Sequence, residues 1–225
     1  MNLREAGVIA TPDERRPESS AAWQRRRGEI AARFGALVET YGHDPRALDY
    51  GSWASQRTRF RVLAETLPLN GRRVLDVGCG FADLAGYLRV RYGPVQYEGV
   101  DICPRVIEEA RRRHPTLALR VLDILEDDPG GSYDFVIANG VFYLLGDDAG
   151  ARMRAMVARM FALSRRAVAF TTLSTWAGRR APGEFQADPL ETLAFCRTLT
   201  ARVALRHDYL PHDFAVFLHH DRQAR

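Results

Sequence analysis

The stretch VLDVGCGFADLAGYL, residues 74–88, decides the fold of this chain. It begins as a short apolar strand, passes through a turn that contains Gly78 and Gly80, and continues as a helix. This order brings the N-terminus of the helix to the carboxyl edge of a sheet, where nucleotides bind. The stretch therefore predicts a nucleotide-binding α/β fold, and it leaves open which nucleotide is bound.

The alternation of strand and helix continues along the chain. Short apolar runs occur at 73–77, 96–101, 118–122, 134–138 and 166–172. Helical stretches lie between them at 82–91, 104–113 and 149–163. This pattern predicts a parallel sheet that helices cover on both faces. Two last runs, 201–210 and 215–220, have no crossover helix between them and predict an antiparallel hairpin. We therefore predict a three-layer, Rossmann-like α/β fold with a mostly parallel seven-stranded sheet that an antiparallel C-terminal hairpin closes.

Length and composition fit one soluble globular domain with additional segments outside its core. The chain has 225 residues, of which 46% are hydrophobic and 27% charged. We expect a disordered leader over 1–20, a helical cap over 21–69 and the nucleotide-binding domain over 70–225. No apolar run reaches the length of a membrane span, and the N-terminus does not resemble a secretory signal. We therefore expect a cytoplasmic protein that has no membrane partner.

The net charge of +4 does not predict a nucleic-acid partner. All 32 basic residues are Arg, and they are spread along the chain, which is typical of a GC-rich bacterial genome. The three cysteines, Cys79, Cys103 and Cys196, are far apart and odd in number, so we expect free thiols in a reducing compartment. No metal-ligand spacing is present, and no metal site is predicted.

Two acids near the glycine turn indicate which nucleotide the turn holds. A dinucleotide-binding turn carries a third glycine where this chain has Asp83, and a carboxylate there would repel a pyrophosphate. Asp76, two residues before the first glycine, suits a ligand with a cationic ammonium group. S-adenosylmethionine carries an ammonium and a sulfonium and has no phosphate. The turn therefore favours S-adenosylmethionine over NAD or FAD.

Four motifs in order resemble those of the class I S-adenosylmethionine-dependent methyltransferases. They are LDVGCGFA (75–82), YEGVDICPRVIEEAR (97–111), RVLDILED (120–127) and YDFVIANGVFYLL (133–145). The resemblance covers residues 50–220 and extends to the closing hairpin. It implies an enzyme of the methyltransferase class, S-adenosylmethionine as its cofactor and S-adenosylhomocysteine as its product, with the methyltransferase domain over 70–225.

The resemblance also implies roles for individual residues. Asp101 would accept the ribose hydroxyls, although NAD-binding proteins place an acid at the same point, and Asp123 would receive the adenine amino group. Ile102 and Ile124 would enclose the adenine, and Asn139 would face the methionine end. The predicted cofactor-binding residues are Asp76, Gly78, Cys79, Gly80, Asp101, Ile102, Asp123, Ile124, Asn139, Gly140 and Phe142. To these we add Arg59, because the cofactor carboxylate needs a cationic partner.

Two residues are candidates for catalysis, and the acceptor stays open. His207 is a candidate general base, and Tyr143 a candidate wall of the methyl-transfer pocket. Asn139 begins a segment that lacks the two prolines of enzymes methylating DNA adenine or protein glutamine, which argues against those substrates. We predict a small-molecule acceptor with an O, N or S nucleophile, of the kind found in specialised metabolism, and a monomer or homodimer. The alternatives are a methyltransferase of RNA or protein, a nicotinamide oxidoreductase and a non-catalytic cofactor-binding module.

Overall fold

A computed structural model describes residues 20–178 and 180–221. Residues 1–19 of the expected leader lie outside the described part of the chain. The helices are α1 (Ser20–Tyr41), α2 (Trp53–Ala64), α3 (Asp83–Tyr92), α4 (Pro104–Arg113), α5 (Ala149–Leu163) and α6 (Pro189–Leu199). The strands are β1 (Arg73–Val77), β2 (Gln96–Asp101), β3 (Ala118–Val121), β4 (Tyr133–Asn139), β5 (Ser164–Leu173), β6 (Arg202–Leu210) and β7 (Asp213–His219).

The seven strands form one sheet in the order β3-β2-β1-β4-β5-β7-β6. The first five strands in this order pair in parallel, and β7 pairs antiparallel with both β5 and β6. The predicted fold is therefore confirmed, including the closing hairpin of β6 and β7. In this hairpin β7 lies between β5 and β6, and β6 forms the edge of the sheet. The strand order reverses between β1 and β4. In open α/β sheets this switch point forms a crevice at the carboxyl ends of the strands, where ligands bind.

Apolar strands explain why the sheet is covered on both faces. β4 is buried at nearly every position, and the residues at alternate positions belong to two different core clusters. Val136 and Ala138 face one cluster, and Phe135 and Ile137 face the other. A strand that buries both faces needs a helical layer on each side. Local signals set the helix ends, as at α6, where the Asp188 side chain accepts the Leu190 and Glu191 amides.

The segment before β1 contains two helices and a short 3-10 helix between them. α2 begins at Trp53, because Ser52 caps it by accepting the Ser55 amide. The 3-10 helix spans Pro45–Leu48, and the Asp44 side chain caps it. α1 packs against this 3-10 helix and against α4. Within the described ranges, no helix combines the length and the apolar composition that a membrane crossing requires.

Candidate active site

A cavity of about 560 Å³ opens at the carboxyl edge of the sheet, across the switch point. Its volume lies in the range of small-molecule and cofactor sites. All twelve predicted cofactor-binding residues line it, and so does Tyr143. The cavity extends from Asp123, which follows β3, to Asp213, which begins β7. The structure therefore brings residues that are far apart in the sequence to one site.

The backbone amides of the glycine turn are already bonded within the protein. Gly78 and Cys79 donate to the Val100 carbonyl at 2.8 and 3.0 Å, and Gly80 donates to Asp101 Oδ2 at 3.1 Å. A phosphate-binding turn instead presents free amides to its anion. Asp83 at the start of α3 adds a carboxylate to the same wall. The turn therefore does not form a pyrophosphate cradle, which agrees with the sequence argument.

Both glycines adopt a backbone that other residues rarely take. Gly78 has a φ of +69°, and a Cβ there would lie 2.2 Å from Val141 Cγ1. Gly80 has a φ of +56°, and its Cβ would lie 2.7 Å from Leu48 Cδ1. The missing side chains therefore make room for two other residues that line the cavity. These glycines shape the cavity wall by letting neighbouring loops approach the turn.

Asp76 is a buried acid with a raised pKa. Asp76 lies on β1, two residues before Gly78, and Tyr97 donates to its Oδ2 at 2.6 Å. Burial raises the pKa of Asp76 to about 7, against the effect of the Tyr97 hydrogen bond, and the nearby Asp101 raises it further. A carboxyl with this pKa is only partly ionised at neutral pH. A cationic ligand group in the cavity would favour its ionised form.

Asp101 is held by two backbone amides. Its Oδ2 accepts from Gly80, and its Oδ1 accepts from Cys103 at 2.9 Å. Burial raises the pKa of Asp101, and the backbone hydrogen bonds oppose this shift. Each carboxylate oxygen can accept more than one hydrogen bond, so Asp101 retains acceptor capacity on the cavity side. Its two oxygens are thus fixed in a geometry that suits a pair of hydroxyls.

The thiol of Cys79 does not point freely into the cavity. A Cβ on Gly99 would lie 2.8 Å from Cys79 Sγ, so the thiol packs closely against this glycine of β2. Burial raises the pKa of Cys79 well above its usual value. Cys79 therefore contributes to the wall, and a protonated, buried thiol is a poor nucleophile. Cys79, Cys103 and Cys196 are all free thiols.

Asp123 and three apolar side chains form the end of the cavity near β3. Ile102, Leu122 and Ile124 line this end. Asp123 Oδ1 accepts from the Leu125 amide at 3.0 Å, and Oδ2 accepts from the Trp23 indole at 2.6 Å. The contact with Trp23 joins residues 100 positions apart and was not predicted from the sequence. This end combines apolar side chains with one oriented carboxylate.

The side chain of Asn139 is fully engaged. Its amide nitrogen donates to Tyr50 Oη at 2.7 Å, and its oxygen accepts from Thr171 Oγ1 at 2.8 Å. Thr171 also accepts from the Gly140 amide. Phe142, in contrast, is completely buried and packs edge-on against Phe170. Asn139 therefore fixes the middle of the cavity, and Phe142 supports its wall from the core.

Arg59 lines the cavity but already has a carboxylate partner. Its Nε donates to Asp213 Oδ2 at 3.0 Å, and its Nη1 donates to Ser55 Oγ at 2.6 Å. Tyr209 donates to the other oxygen of Asp213. Asp213 is 1% exposed, so this is a buried ion pair. The assignment of Arg59 to the cofactor carboxylate stays a prediction, and any such contact adds to this network.

His207, the candidate base, is not among the described residues that line the cavity. Among the described lining residues the histidine is His212, in the turn between β6 and β7. His207 Nε2 lies 2.8 Å from Ser174 Oγ, and its ring stacks between Trp176 and Phe214. The reason is its position within β6, where the strand directs its side chain toward this aromatic pair. A direct role for His207 as a base has no geometric support.

His212 and Tyr143 face the cavity in forms that do not favour base catalysis. His212 Nε2 lies 3.3 Å from Arg59 Nη2, which can only donate, so the imidazole nitrogen accepts. Tyr143 donates to Asp49 Oδ2 at 2.7 Å. Burial and the Asp49 carboxylate raise the pKa of Tyr143. Tyr143 therefore keeps its proton and acts as a polar wall residue.

The end of the cavity near β5 contains a buried hydroxyl with no partner. Thr172 is 1% exposed, lines the cavity and makes no hydrogen bond through Oγ1. A buried polar group without a partner is unfavourable, so a ligand that bonded to it would gain stability. Among the described lining residues, seven are carboxylic acids and one is Arg. This balance favours a cationic ligand over a phosphate.

Sequence reasoning missed the residues that reach the cavity from distant elements. Besides Trp23, they include Tyr50, Thr172 and His212. No local motif marks these residues, because each acts through a contact made by the folded chain. A signal for Trp23 was present, since apolar residues recur at helical spacing through 19–40.

Comparisons with known proteins agree with this geometry. A family model described as a methyltransferase domain matches residues 74–163. A Mycobacterium tuberculosis protein named as a methyltransferase is 28% identical over 150 residues, which cover 64% of this chain and 90% of that protein. Trans-aconitate 2-methyltransferase of Methylobacterium nodulans is 35% identical over 101 residues, 44% of this chain and 39% of that enzyme.

Solved structures show the same fold. Magnesium protoporphyrin IX methyltransferase from Synechocystis, with bound S-adenosylhomocysteine, aligns with a TM-score of 0.63 over 87% of this chain and 100% of that chain, at 14% identity. The seven-stranded sheet, the switch-point cavity and the matched methyltransferase domain agree with one another. The matched domain, the methyltransferase relatives and the shared fold together support a class I S-adenosylmethionine-dependent methyltransferase, with S-adenosylmethionine as its cofactor.

Proposed function

We propose that the protein transfers the methyl group of S-adenosylmethionine to an O, N or S nucleophile of a small molecule. The observation that carries this proposal is the cover of the cavity. α1, the 3-10 helix with the residues after it, and the segment 181–186 all contribute lining residues in addition to the sheet edge. A cavity covered from several sides admits a small acceptor more readily than a polymer.

The strands divide the cavity into two ends. Neighbouring strands lie about 4.8 Å apart, so the three steps from β3 to β4 span roughly 14 Å, and the two further steps to β7 add roughly 10 Å. We assign the part from β3 to β4 to the cofactor, because Asp123, Asp101 and Asp76 lie there. The part near β5 and β7, with Thr172 and His212, is left for the acceptor.

Within the cofactor part, each polar group matches one part of S-adenosylmethionine. Asp123 would receive the adenine amino group, Asp101 the two ribose hydroxyls and Asp76 the ammonium. Asn139 would border the methionine end. Arg59, which is bonded to Asp213 at the boundary with the acceptor part, would bind the cofactor carboxylate. Ile102 and Ile124 would enclose the adenine, while Gly78, Cys79, Gly80, Gly140 and Phe142 would complete the wall. The acidic lining supports this fit, because the cofactor carries two cationic groups.

The chain must align the acceptor and exclude water. When bound, S-adenosylmethionine supplies an electrophilic methyl group on its sulfonium sulfur, which becomes a neutral thioether when the methyl group is transferred. The protein holds the acceptor nucleophile in line behind that methyl group. His212 accepts from Arg59, and Tyr143 keeps its proton. We therefore propose that the nucleophile enters unprotonated, as an amine, thiolate or carboxylate can.

The charge of the cavity supports a small acceptor over a nucleic acid. A nucleic-acid site needs cations along a groove to neutralise phosphates, whereas the described lining is rich in acids. The relative from Methylobacterium nodulans is named for trans-aconitate, a small acid. The aligned part spans about two fifths of that enzyme, so its substrate indicates only a class of acceptor.

Two experiments test the proposal. Calorimetry with S-adenosylmethionine, S-adenosylhomocysteine and NAD should show binding of the first two alone, and an Asp101→Ala variant should bind both much more weakly. The protein is then incubated with methyl-labelled cofactor and bacterial extract, which is separated by size. We expect label in the small-molecule fraction with the parent and not with Asp101→Ala. Label confined to RNA or protein would refute the small-molecule assignment.

A further inference from the structure

Helix α1 places one face over the cavity. Trp23, Ile30 and Phe34 all line it. Their spacing of seven and four residues puts them on one side of a helix. Trp23 and Ile30 are both buried in the same core cluster as Ile124 and Leu122. The helix therefore forms part of the cavity, and Trp23 lies at the end that contains Asp123.

Polar contacts hold this helix to three separate parts of the cavity rim. Arg26 Nε donates to the Leu144 carbonyl at 2.6 Å, and Arg33 donates to Asp49 Oδ2 at 2.8 Å. Trp23 makes the contact nearest the cofactor part, through its bond to Asp123. These contacts place α1 across the loops that follow β3 and β4.

The indole of Trp23 is fixed from two directions. Its N–H donates to Asp123 Oδ2, and the guanidinium of Arg152 lies over its ring, 4.4 Å from the centroid. Arg152 is itself 4% exposed, so this cation–π contact is largely shielded from water. The ring thus has little freedom to rotate, and its N–H has a defined direction.

Asp123 is consequently oriented by two donors. The Leu125 amide binds one oxygen and the Trp23 indole binds the other, while Arg27 Nη1 lies 3.6 Å from Oδ2. A carboxylate offers about four lone-pair sites, so acceptor capacity remains for a third donor. With both oxygens held, that capacity has a fixed direction in the cavity.

We propose that Trp23 is a positioning residue of the adenine subsite: its indole N–H orients the Asp123 carboxylate toward the adenine amino group. The inference rests on the proposed function, in which Asp123 receives that amino group. Trp23 then helps the protein to distinguish adenine from a purine that lacks the 6-amino group. It acts through Asp123, and α1 supplies it from outside the four sequence motifs.

The test compares two ligands by calorimetry on the full chain. One is S-adenosylhomocysteine, and the other is its analogue with unsubstituted purine in place of adenine. The variants are Trp23→Phe, which keeps a ring but removes the N–H donor, and Asp123→Asn. Trp176→Phe is the matched control, because Trp176 is exposed and is not among the described lining residues.

We expect the parent to prefer S-adenosylhomocysteine over the analogue by about tenfold, as one hydrogen bond to a charged group predicts. Trp23→Phe should reduce this preference to about threefold or less, mainly by weakening S-adenosylhomocysteine binding. Asp123→Asn should abolish the preference, and Trp176→Phe should leave it unchanged. Benzothienylalanine at position 23, which keeps the shape of the indole and lacks its N–H, should behave like Trp23→Phe even if the Phe variant folds poorly.

Each other outcome has a defined meaning. Equal weakening of both ligands in the two position-23 variants would show a purely structural role and overturn the inference. Tighter binding of S-adenosylhomocysteine by these variants would show that Trp23 competes with adenine, and would also overturn it. A parent that binds neither ligand would refute the proposed function itself, and an Asp123→Asn variant that kept the preference would refute its adenine assignment.

Discussion

Ionisation of Asp76 should make cofactor binding depend on pH. Burial raises its pKa to about 7 in the protein without ligand. If Asp76 faces the ammonium group as proposed, the ionised form is the one that binds. A group with this pKa is ionised in about 10% of molecules at pH 6 and in about 90% at pH 8. The apparent Kd for S-adenosylhomocysteine should therefore be about tenfold higher at pH 6 than at pH 8.

Calorimetry at pH 6, 7 and 8 measures this effect. The product is used as the ligand because it keeps the ammonium and has no sulfonium. Asp76→Asn has the same shape but cannot ionise, so it should bind weakly with a flat pH profile. Binding by the parent at pH 6 should also release nearly one proton, which measurements in two buffers of different ionisation enthalpy detect. A parent profile that matched the variant would refute the role of Asp76.

The raised pKa of Asp76 also affects the stability of the protein without ligand. There, ionisation of Asp76 lowers the free energy of unfolding. The pKa of Asp76 in the folded chain lies above the usual value of 3.8, so the folded state retains a proton that the unfolded state loses. The stability from this group is complete below pH 3.8 and is lost as the pH rises to 7. A shift of this size corresponds to about 4 kcal/mol. Asp76→Asn should therefore unfold at higher urea concentration than the parent at pH 8.

Two further predictions concern packing and the buried ion pair. Gly78→Ala places a Cβ 2.2 Å from Val141 Cγ1 in left-handed backbone, so it should cost at least about 2 kcal/mol and abolish cofactor binding. Gly86→Ala, in helix α3 with open space, should instead raise stability by about 1 kcal/mol; equal melting temperatures for the two variants would contradict the clash. Arg59→Ala leaves Asp213 buried without its cation and should lower the free energy of unfolding by about 3–5 kcal/mol. The double variant Arg59→Met, Asp213→Leu should recover most of the lost free energy of unfolding, as measured by denaturant unfolding. If the double variant were as unstable as Arg59→Ala, lost packing rather than the unpaired charge would explain the effect.

The fold was predictable because its signals are local. The stretch 74–88 and the alternation after it depend on periodicity and turn residues, which act within a few positions. The lining positions of Asp76, Asp101 and Asp123 followed from the same logic, since parallel strands end at one edge. Their expected partners in the cofactor stay predictions.

What the sequence did not disclose depends on contacts between distant residues. Arg59 and Asp213 are 154 positions apart, and nothing near either residue marks the pair. The choice between His207 and His212 depends on which positions of the β6–β7 hairpin reach the cavity. The hydrogen bond from Tyr97 to Asp76 also requires the register of β1 and β2. Such contacts are properties of the folded sheet.

The strand order has a consequence for how the site comes into being. β7 is the last strand in the described part of the chain, yet it lies between β5 and β6 and supplies Asp213, the buried partner of Arg59. A chain emerging from the ribosome can form the first strands, with Asp76, Asp101 and Asp123, well before it completes the sheet. The end of the cavity near β5 and β7, which we propose for the acceptor, closes only after β7 has been made and inserted. Loss of β7 would therefore leave Arg59 without its carboxylate partner and open this end of the cavity.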